Sequence, residues 1–454
     1  MRIAALLLSV ALSGCALPPD LDGRPTDAVR AADLAVSEAS VWSLDFGDAG
    51  LRRMLTEADI GGLDVAAARA RARAADLALA QARASTGLRL GGSSRITAGT
   101  ETQFGPDNGG ETETRRNIGI ELTAEYEPDL TGRLDAALAA ARLEWQAEGL
   151  DLFAARRTLA KAVTEAWIAL AEARTQATRA AEQVRLTEAV IPALRARAEG
   201  GESTGADLAS RLQDVTQARV TAAEATGRVA LAEARLRALG VQTIPGRIPL
   251  RDLRRPAIAA RTDLSRVANR PDVCAAWLRF RAADAERAAV LRDTRPRLVV
   301  TGSLASTSRT LAGLLAGNAA VLASTVRLEG TLLDDGTARR QVDRARLGVA
   351  SAEIAWLRAR MTAEITALEA SVDLQAAEAR LTARLASYRL LAADLDRVRA
   401  RRNAGLDGDL ELAESRLALA NAQTDIDAAR ATAFRAAVER HDAMGSDASD
   451  QNCP

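Results

Sequence analysis

The chain has 454 residues, of which 48% are hydrophobic but only 3% aromatic, and its 60 basic side chains are balanced by 60 acidic ones. Much of the apolar content is alanine, which suits long, closely packed helices better than a thick globular core. The balanced charge excludes a strongly basic surface of the kind that binds nucleic acid.

Catalytic signatures are scarce in the sequence. His441 is the only histidine, so a catalytic triad would depend on a residue that we expect at the surface near a helix end. Lys161 is the only lysine, and no glycines precede it as a phosphate-binding loop requires. We therefore expect no enzyme, no resident cofactor and no metal site.

The first fifteen residues predict export and attachment to a membrane. The apolar run at 3–12 is too short to span a bilayer, which takes about 20 residues, but it suits a secretory signal. Leu12-Ser13-Gly14-Cys15 resembles a bacterial lipoprotein box, so residues 1–14 are predicted to be a signal peptide and Cys15 to carry lipid. The alternative is that Cys15 is an incidental cysteine in an ordinary signal. Residues 15–60 are predicted to form an extended, lipid-anchored segment.

The rest of the chain reads as two copies of one unit. Arg73-Ala74-Ala75-Asp76 matches Arg281-Ala282-Ala283-Asp284, and neighbouring positions match at the same offset. The predicted organisation is a first repeat, a proline-rich linker, a second repeat and a C-terminal tail. Their respective bounds are 61–243, 244–262, 263–445 and 446–454.

Each repeat is predicted to contain a helix, two strands and a long helical hairpin. The hairpins span 130–240 and 337–443, and they turn at Gly201 and Gly405. Their first arms keep a helical composition over about 70 residues, or about 100 Å, although Pro192 is a candidate kink. Helices of this length have to pack against neighbours in coiled-coil fashion.

The four strand-like runs alternate apolar and polar residues. They lie at 88–104, 118–127, 297–308 and 321–332. Segments of about ten residues with this pattern are typical of membrane β-barrels, although an ordinary half-buried sheet fits each run equally well. The exported, lipidated context favours the membrane. Four strands cannot close a barrel, so several chains would have to share one.

The chain resembles the TolC-type outer-membrane efflux proteins, specifically the lipoprotein branch that serves RND-type pumps (the NodT-like outer membrane factors). The matching stretches include the family's Asn-Arg-Pro-Asp-Val motif at 269–273, the entry into the first long helix at 121–141 and the tip segment at 401–423. The opening tryptophan-containing segment at 41–58 is also similar.

The resemblance implies a mainly α fold with a small β part. Three protomers would form one 12-stranded barrel in the outer membrane, and the duplicated hairpins would form an α-barrel through the periplasm of a Gram-negative cell. The expected partners are a periplasmic adaptor protein, an inner-membrane RND-type transporter and outer-membrane lipid. The implied function is a passive exit duct.

The resemblance also locates a gate at the periplasmic tip. Glu414 occupies the place of an acidic residue that forms a ring at the closed tip, and Asp407 in the nearby turn is a second candidate. The family's usual aromatic residue before the turn is replaced here by Arg402. Arg401 or Arg402 is therefore a candidate for holding the tip shut by pairing with carboxylates, and Asp207 is a weaker one.

Two alternatives remain open at this point. A lipidated periplasmic adaptor also carries a long helical hairpin, and a structural coiled-coil envelope lipoprotein would need neither the strands nor the turn glycines. Cys274 is expected to pack as a small apolar residue, with a disulfide to Cys453 as the alternative.

Overall fold

A computed structural model describes most of the chain. The described residues are 48–103, 111–201, 203–246, 250, 264–315, 320–331, 333–406 and 408–444. Cys15, Asp407, Cys453 and nearly all of the predicted linker lie outside these ranges.

Both repeats contain a helix, two strands and two long helices in the same order, and the second has a short helix between its strands. The first contains α1 (Ala49–Gly61), α2 (Leu63–Ala84), β1 (Arg89–Gln103), β2 (Glu111–Tyr126), α3 (Arg133–Glu199) and α4 (Gly205–Ala238). A short 3-10 helix at Leu264–Asn269 leads into the second. It contains α5 (Pro271–Asp293), β3 (Arg297–Ser308), α6 (Leu311–Leu315), β4 (Ala320–Glu329), α7 (Thr337–Asn403) and α8 (Asp409–Ala443).

This architecture confirms a mainly α chain with a small β part. The long arms α3 and α7 are each 67 residues, and the return arms α4 and α8 are 34 and 35 residues. Helix α3 runs through Pro192 without a break in its assignment. Strand β2 begins seven residues before the predicted start at 118, and β4 ends three residues before the predicted end at 332.

The extended conformation predicted over 15–60 is wrong where the structure describes that segment, because Ala49–Gly61 is an α-helix. The Asp48 side chain caps its start by accepting a hydrogen bond from the Leu51 amide at 2.8 Å. Leu51, Met54, Leu55 and Ala58 are buried, and their spacing is that of one helix face. The periodicity was present in the sequence and indicates a packed helix.

The described residues divide into two compact units, one containing 72–147 and 277–355 and the other containing the rest. The first unit holds a four-stranded antiparallel sheet in the order β1-β2-β3-β4. Leu122 pairs with Gly92 on one side and Leu304 on the other, and Leu304 pairs with Leu322. The register therefore aligns one apolar face across all four strands.

The core of the second unit joins both repeats. Trp167 and Leu170 of α3, Leu51 of α1, Leu236 of α4 and Phe434 of α8 all belong to one buried cluster. Each large side chain removed from water contributes about 1.5–3 kcal/mol. A second cluster packs α7 against α8 through residues that include Ala377, Leu381, Ile426 and Ala433. Two of these four residues are alanine, in keeping with the alanine-rich composition.

Within the described ranges, no helix has the length and apolar character needed to cross a membrane.

Candidate functional site: the hairpin turns, the α3–α8 seam and the sheet

The turns between hairpin arms depend on glycine. Gly201 and Gly405 have positive φ angles of 76° and 75°, a conformation that residues with a side chain rarely adopt. After α7, the Leu406 amide donates to the Arg401 carbonyl and the Gly405 amide to the Arg402 carbonyl, both at 2.9 Å. This pair of bonds is a Schellman motif, which satisfies the last carbonyls of the helix.

Glu414, the principal gate candidate, is engaged within its own chain. Its carboxylate accepts a hydrogen bond from the Arg211 guanidinium at 2.8 Å, which ties α8 to α4. Arg211 also contacts Asp214 at 3.3 Å. Both partners are partly exposed, with 45% of the Glu414 side chain and 40% of the Arg211 side chain accessible. In one protomer Glu414 is thus part of a bridge between the two hairpins.

Arg402 pairs with a carboxylate of its own chain, and its role in holding the tip shut stays a prediction. Its guanidinium contacts Asp409 at 2.5 Å across the turn, joining the end of α7 to the start of α8. This contact lies within one hairpin, so it fixes the turn. Arg401 contributes a backbone carbonyl to the same turn.

Asp207 serves as a helix cap. Its carboxylate accepts hydrogen bonds from the Thr204 amide and hydroxyl, and the Thr204 hydroxyl accepts one from the Asp207 amide. This is a capping box at the start of α4. The backbone hydrogen bond from Thr204, followed by the one from its hydroxyl, lowers the pKa of Asp207. The structure thus uses this carboxylate locally to start a helix.

Glu411, which the sequence does not single out, lies one turn of α8 closer to the hairpin turn than Glu414. Its carboxylate accepts from the Arg197 guanidinium at 2.8 Å and from the Gly408 amide at 3.0 Å. The hydrogen bond from Arg197 is the main reason that the pKa of Glu411 is lowered. No local pattern reveals this pair, since its members are 214 positions apart.

Further contacts continue from this pair along the whole antiparallel seam between α3 and α8. Six polar contacts follow one another from end to end. They are Arg157–Asp442, Lys161–Glu439, Glu172–Arg435, Arg179–Asp427, Gln183–Asn421 and Arg197–Glu411.

The end of the seam farthest from the turns is the most enclosed. Lys161 contacts Glu439 at 2.5 Å and Asp442 at 3.8 Å. Burial acts to lower the pKa of Lys161, but the hydrogen bond to Glu439 and the charge of Asp442 outweigh it, so the pKa is raised. Burial raises the pKa of the neighbouring Glu165. The only lysine therefore has a structural role.

The sheet exposes its apolar face. Leu90 and Ile96 on β1 are 78% and 77% exposed, and Leu322 and Val326 on β4 are 82% and 67% exposed. The opposite face is polar, with a row that reads Arg89, Glu125, Thr301 and Thr325. Among the described strands, β1 and β4 each have one edge without a partner. In a single chain, the described sheet therefore has an apolar face that is not covered and two edges that are not paired.

Helix α7 also carries an uncovered apolar stripe. Its members recur at intervals of three and four residues, as in a coiled-coil seam, and each is at least 43% exposed. They are Leu357, Met361, Ile365, Leu368 and Val372. This stripe lacks a partner among the described residues of one chain.

Cys274 shows the burial that the sequence predicts. It is buried, at 2% exposure, as expected for a small apolar residue, but it is disulfide-bonded. Within the described residues, no group of three or more metal-binding side chains could hold a metal ion.

Comparison with known proteins agrees with the sequence resemblance. Residues 55–240 match the family described as outer membrane efflux protein. Outer membrane protein OprJ of Pseudomonas aeruginosa is 28% identical over 337 residues, which cover 69% of this chain and 68% of OprJ. The pyoverdine export outer membrane protein OpmQ of Pseudomonas putida is 30% identical over 201 residues, 43% of each chain.

The fold is shared over a longer stretch. The crystal structure of the outer membrane protein VceC from Vibrio cholerae superposes with a TM-score of 0.76 at 19% identity, covering 88% of this chain and 97% of VceC. Together the matches indicate an outer-membrane efflux channel of the TolC type, which confirms the resemblance seen in the sequence. They also confirm that the chain is not an enzyme, since the matched family is one of efflux channels.

Proposed function

We propose that this chain is the outer-membrane exit duct of a tripartite efflux system. The sequence and fold matches to outer-membrane efflux proteins support this function. The strongest support for this function is the described sheet, which has four strands, two unpaired edges and one exposed apolar face. A lipid bilayer is the solvent in which such a face is stable, provided that the edges are closed.

Closure in this proposal comes from two further copies of the same chain. Edge strand β1 of one protomer would pair with β4 of the next, giving twelve strands in a trimer. The α7 stripe would pack against the neighbouring protomer, so that the hairpins form a continuous α-barrel in the periplasm. Burial of each stripe residue would contribute about 1.5–3 kcal/mol.

The proposed anchor is lipid on Cys15, which would hold the mature chain at the outer membrane next to its barrel. The buried acyl chains would add about 0.8 kcal/mol for each CH₂ group. Replacement of Cys15 by alanine should remove the fatty acyl mass from the mature N-terminal peptide. An unmodified cysteine in the wild-type peptide would contradict the anchor.

The proposed partners are a periplasmic adaptor and an inner-membrane RND-type transporter. The transporter supplies the energy, because the duct is passive. The chain would dock through the turn ends of its hairpins, where the polar bridges are exposed enough to rearrange. Affinity purification of the tagged full chain from crosslinked cells should recover both partners. Recovery of neither would contradict this assignment.

Single-channel recording tests the function most directly. The purified trimer in a planar bilayer should show discrete openings across the membrane. An adaptor or a purely structural coiled-coil lipoprotein, the two alternatives raised by the sequence, would give none. The second repeat with its own strand pair also disfavours the adaptor, for which we expect a single hairpin.

A further inference from the structure

Side-chain burial along α8 changes abruptly near Asp427. Between 426 and 443, α8 buries nine side chains, whereas between 409 and 425 it buries only Leu412 and Ala422. The part of α8 nearest the turn is therefore held by far less apolar contact than the part beyond Asp427. Burial of apolar surface is the main stabilising contribution at such a seam.

The polar contacts at the two ends of the seam differ in the same sense. On the side far from the turns, the Arg157 and Asp442 side chains are only 8% and 25% exposed. On the turn side, Arg197 and Glu411 are 37% and 41% exposed, and the Gln183–Asn421 hydrogen bond is exposed as well. Exposed ion pairs contribute only about 0.2–1 kcal/mol, so the turn-side contacts break easily.

Asp427 lies at the boundary between these two regions. Its side chain is 7% exposed and accepts from the Arg179 guanidinium at 3.1 Å, with Arg430 at 3.8 Å. The neighbouring Ile426 is anchored in the cluster that packs α8 against α7. Loss of one partner from a buried pair is strongly destabilising, because the remaining charge is left without compensation.

We propose that the Arg179–Asp427 pair is the pivot about which the turn-side arms separate when the channel opens. The arms are residues 180–199 of α3 and 409–425 of α8. The contacts beyond the pivot, from Glu172–Arg435 to Arg157–Asp442, stay closed throughout. This inference rests on the proposed duct function, and it assigns Arg179 and Asp427 a positioning role.

The single lysine allows the pivot to be tested by zero-length crosslinking with a carbodiimide. In the wild-type chain, Lys161 can be joined to Glu439 or Asp442, both beyond the pivot. In the double variant Lys161→Arg/Arg197→Lys, the new lysine can be joined to Glu411 on the turn side. Lys161→Arg alone is the control that has no lysine to join.

We expect the wild-type crosslink to leave the open probability of the trimer in a planar bilayer unchanged within about twofold. The turn-side crosslink should lower the open probability at least about tenfold. Equal effects of the two crosslinks, or a block by the wild-type crosslink alone, would overturn the pivot.

Hydrogen exchange provides a readout that does not depend on conduction. In the detergent-extracted full chain, amides at 409–425 should exchange at least about tenfold faster than those at 428–443. Asp427→Asn should extend the fast region beyond 427. Asp425→Asn is the matched control, since Asp425 pairs with Arg384 at a solvent-exposed position and should leave the boundary in place.

The crosslinking and hydrogen-exchange measurements test the pivot and the proposed function separately. Uniform protection along α8 would overturn the pivot even in a chain that conducts. Stepped protection in a chain that never conducts would support the pivot as a structural boundary and count against the duct.

Discussion

At the scale of single residues, the charged side chains near the turns act in pairs. Glu414 was predicted from the family resemblance to belong to a ring of carboxylates, and this role stays a prediction. The structure adds Arg211 as its partner within the chain, at 2.8 Å. If Glu414 has this role, we expect it to hold the tip closed through its bridge to Arg211 more than through its charge.

This difference can be measured in single channels. Glu414→Gln and Arg211→Gln should both raise the open probability several-fold, because each removes the same bridge in all three protomers. Asp214→Asn is the control, since Asp214 contacts Arg211 without joining the two hairpins. If Arg211→Gln instead lowers the open probability while Glu414→Gln raises it, the free carboxylate ring is the better account.

The Arg197–Glu411 pair predicts a response to acid. The pKa of Glu411 is lowered in the folded chain, so the stability from this pair is present above the ordinary pKa of a glutamate, about 4.5, and is lost as the pH falls through the lowered value. The open probability of the wild-type channel should therefore rise below about pH 4.5. The Glu411→Gln channel should have a higher open probability at neutral pH and should lose this part of the response to acid. If its pH profile were identical to that of the wild-type channel, Glu411 would have no part in the acid response.

Gly240 provides a test of the fold at a single position. Its φ is 92°, and a Cβ there would lie 3.0 Å from the Gly61 carbonyl carbon, so Gly240→Ala should destabilise the second unit by about 1–3 kcal/mol. Gly227 lies inside α4, and a Cβ added there would have no atom of another part of the chain within 4 Å. Gly227→Ala should therefore be neutral or stabilising by up to about 1 kcal/mol. Urea unfolding of the two variants side by side measures both. Equal effects would contradict the strain argument.

At the scale of elements, the α7 stripe makes the clearest prediction. Ile365→Glu places a charge in the middle of the stripe, at a position that is 52% exposed in one chain. If the stripe packs against a neighbouring protomer, the variant should reduce the trimeric fraction in detergent while leaving helix content unchanged. Arg358→Glu, at an exposed α7 position outside the stripe, should keep the trimeric fraction. Loss of trimer with both variants would point to a general effect of added charge.

The bounds of a helix or strand could be predicted where a single local sequence pattern determines them. The strand at Arg297–Ser308 matches its predicted bounds, and the start of α7 at Thr337 and the end of α8 at Ala443 do too. Helix α1 was missed because the lipoprotein signal suggested an extended tether, although Leu51, Met54 and Ala58 already had helical spacing. The early start of β2 was missed because 111–117 is polar on both faces and carries no alternation.

At the scale of the whole molecule, the duplication of sequence becomes a duplication of architecture. Each repeat contributes two strands and one hairpin, and the two long arms are equal in length at 67 residues. The contacts between the two repeats could not be predicted from the sequence. The α3–α8 seam joins residues more than 200 positions apart, and helical periodicity specifies which residues share a face but not which helix that face meets.

In the proposed duct, identical copies of the chain complete the sheet and cover the α7 stripe. The most direct measurement is the mass of the detergent-extracted particle by multi-angle light scattering, with the detergent contribution subtracted. We expect three times the mass of the mature chain. A protein mass equal to one chain, in a particle that remains folded and unaggregated, would contradict this expectation.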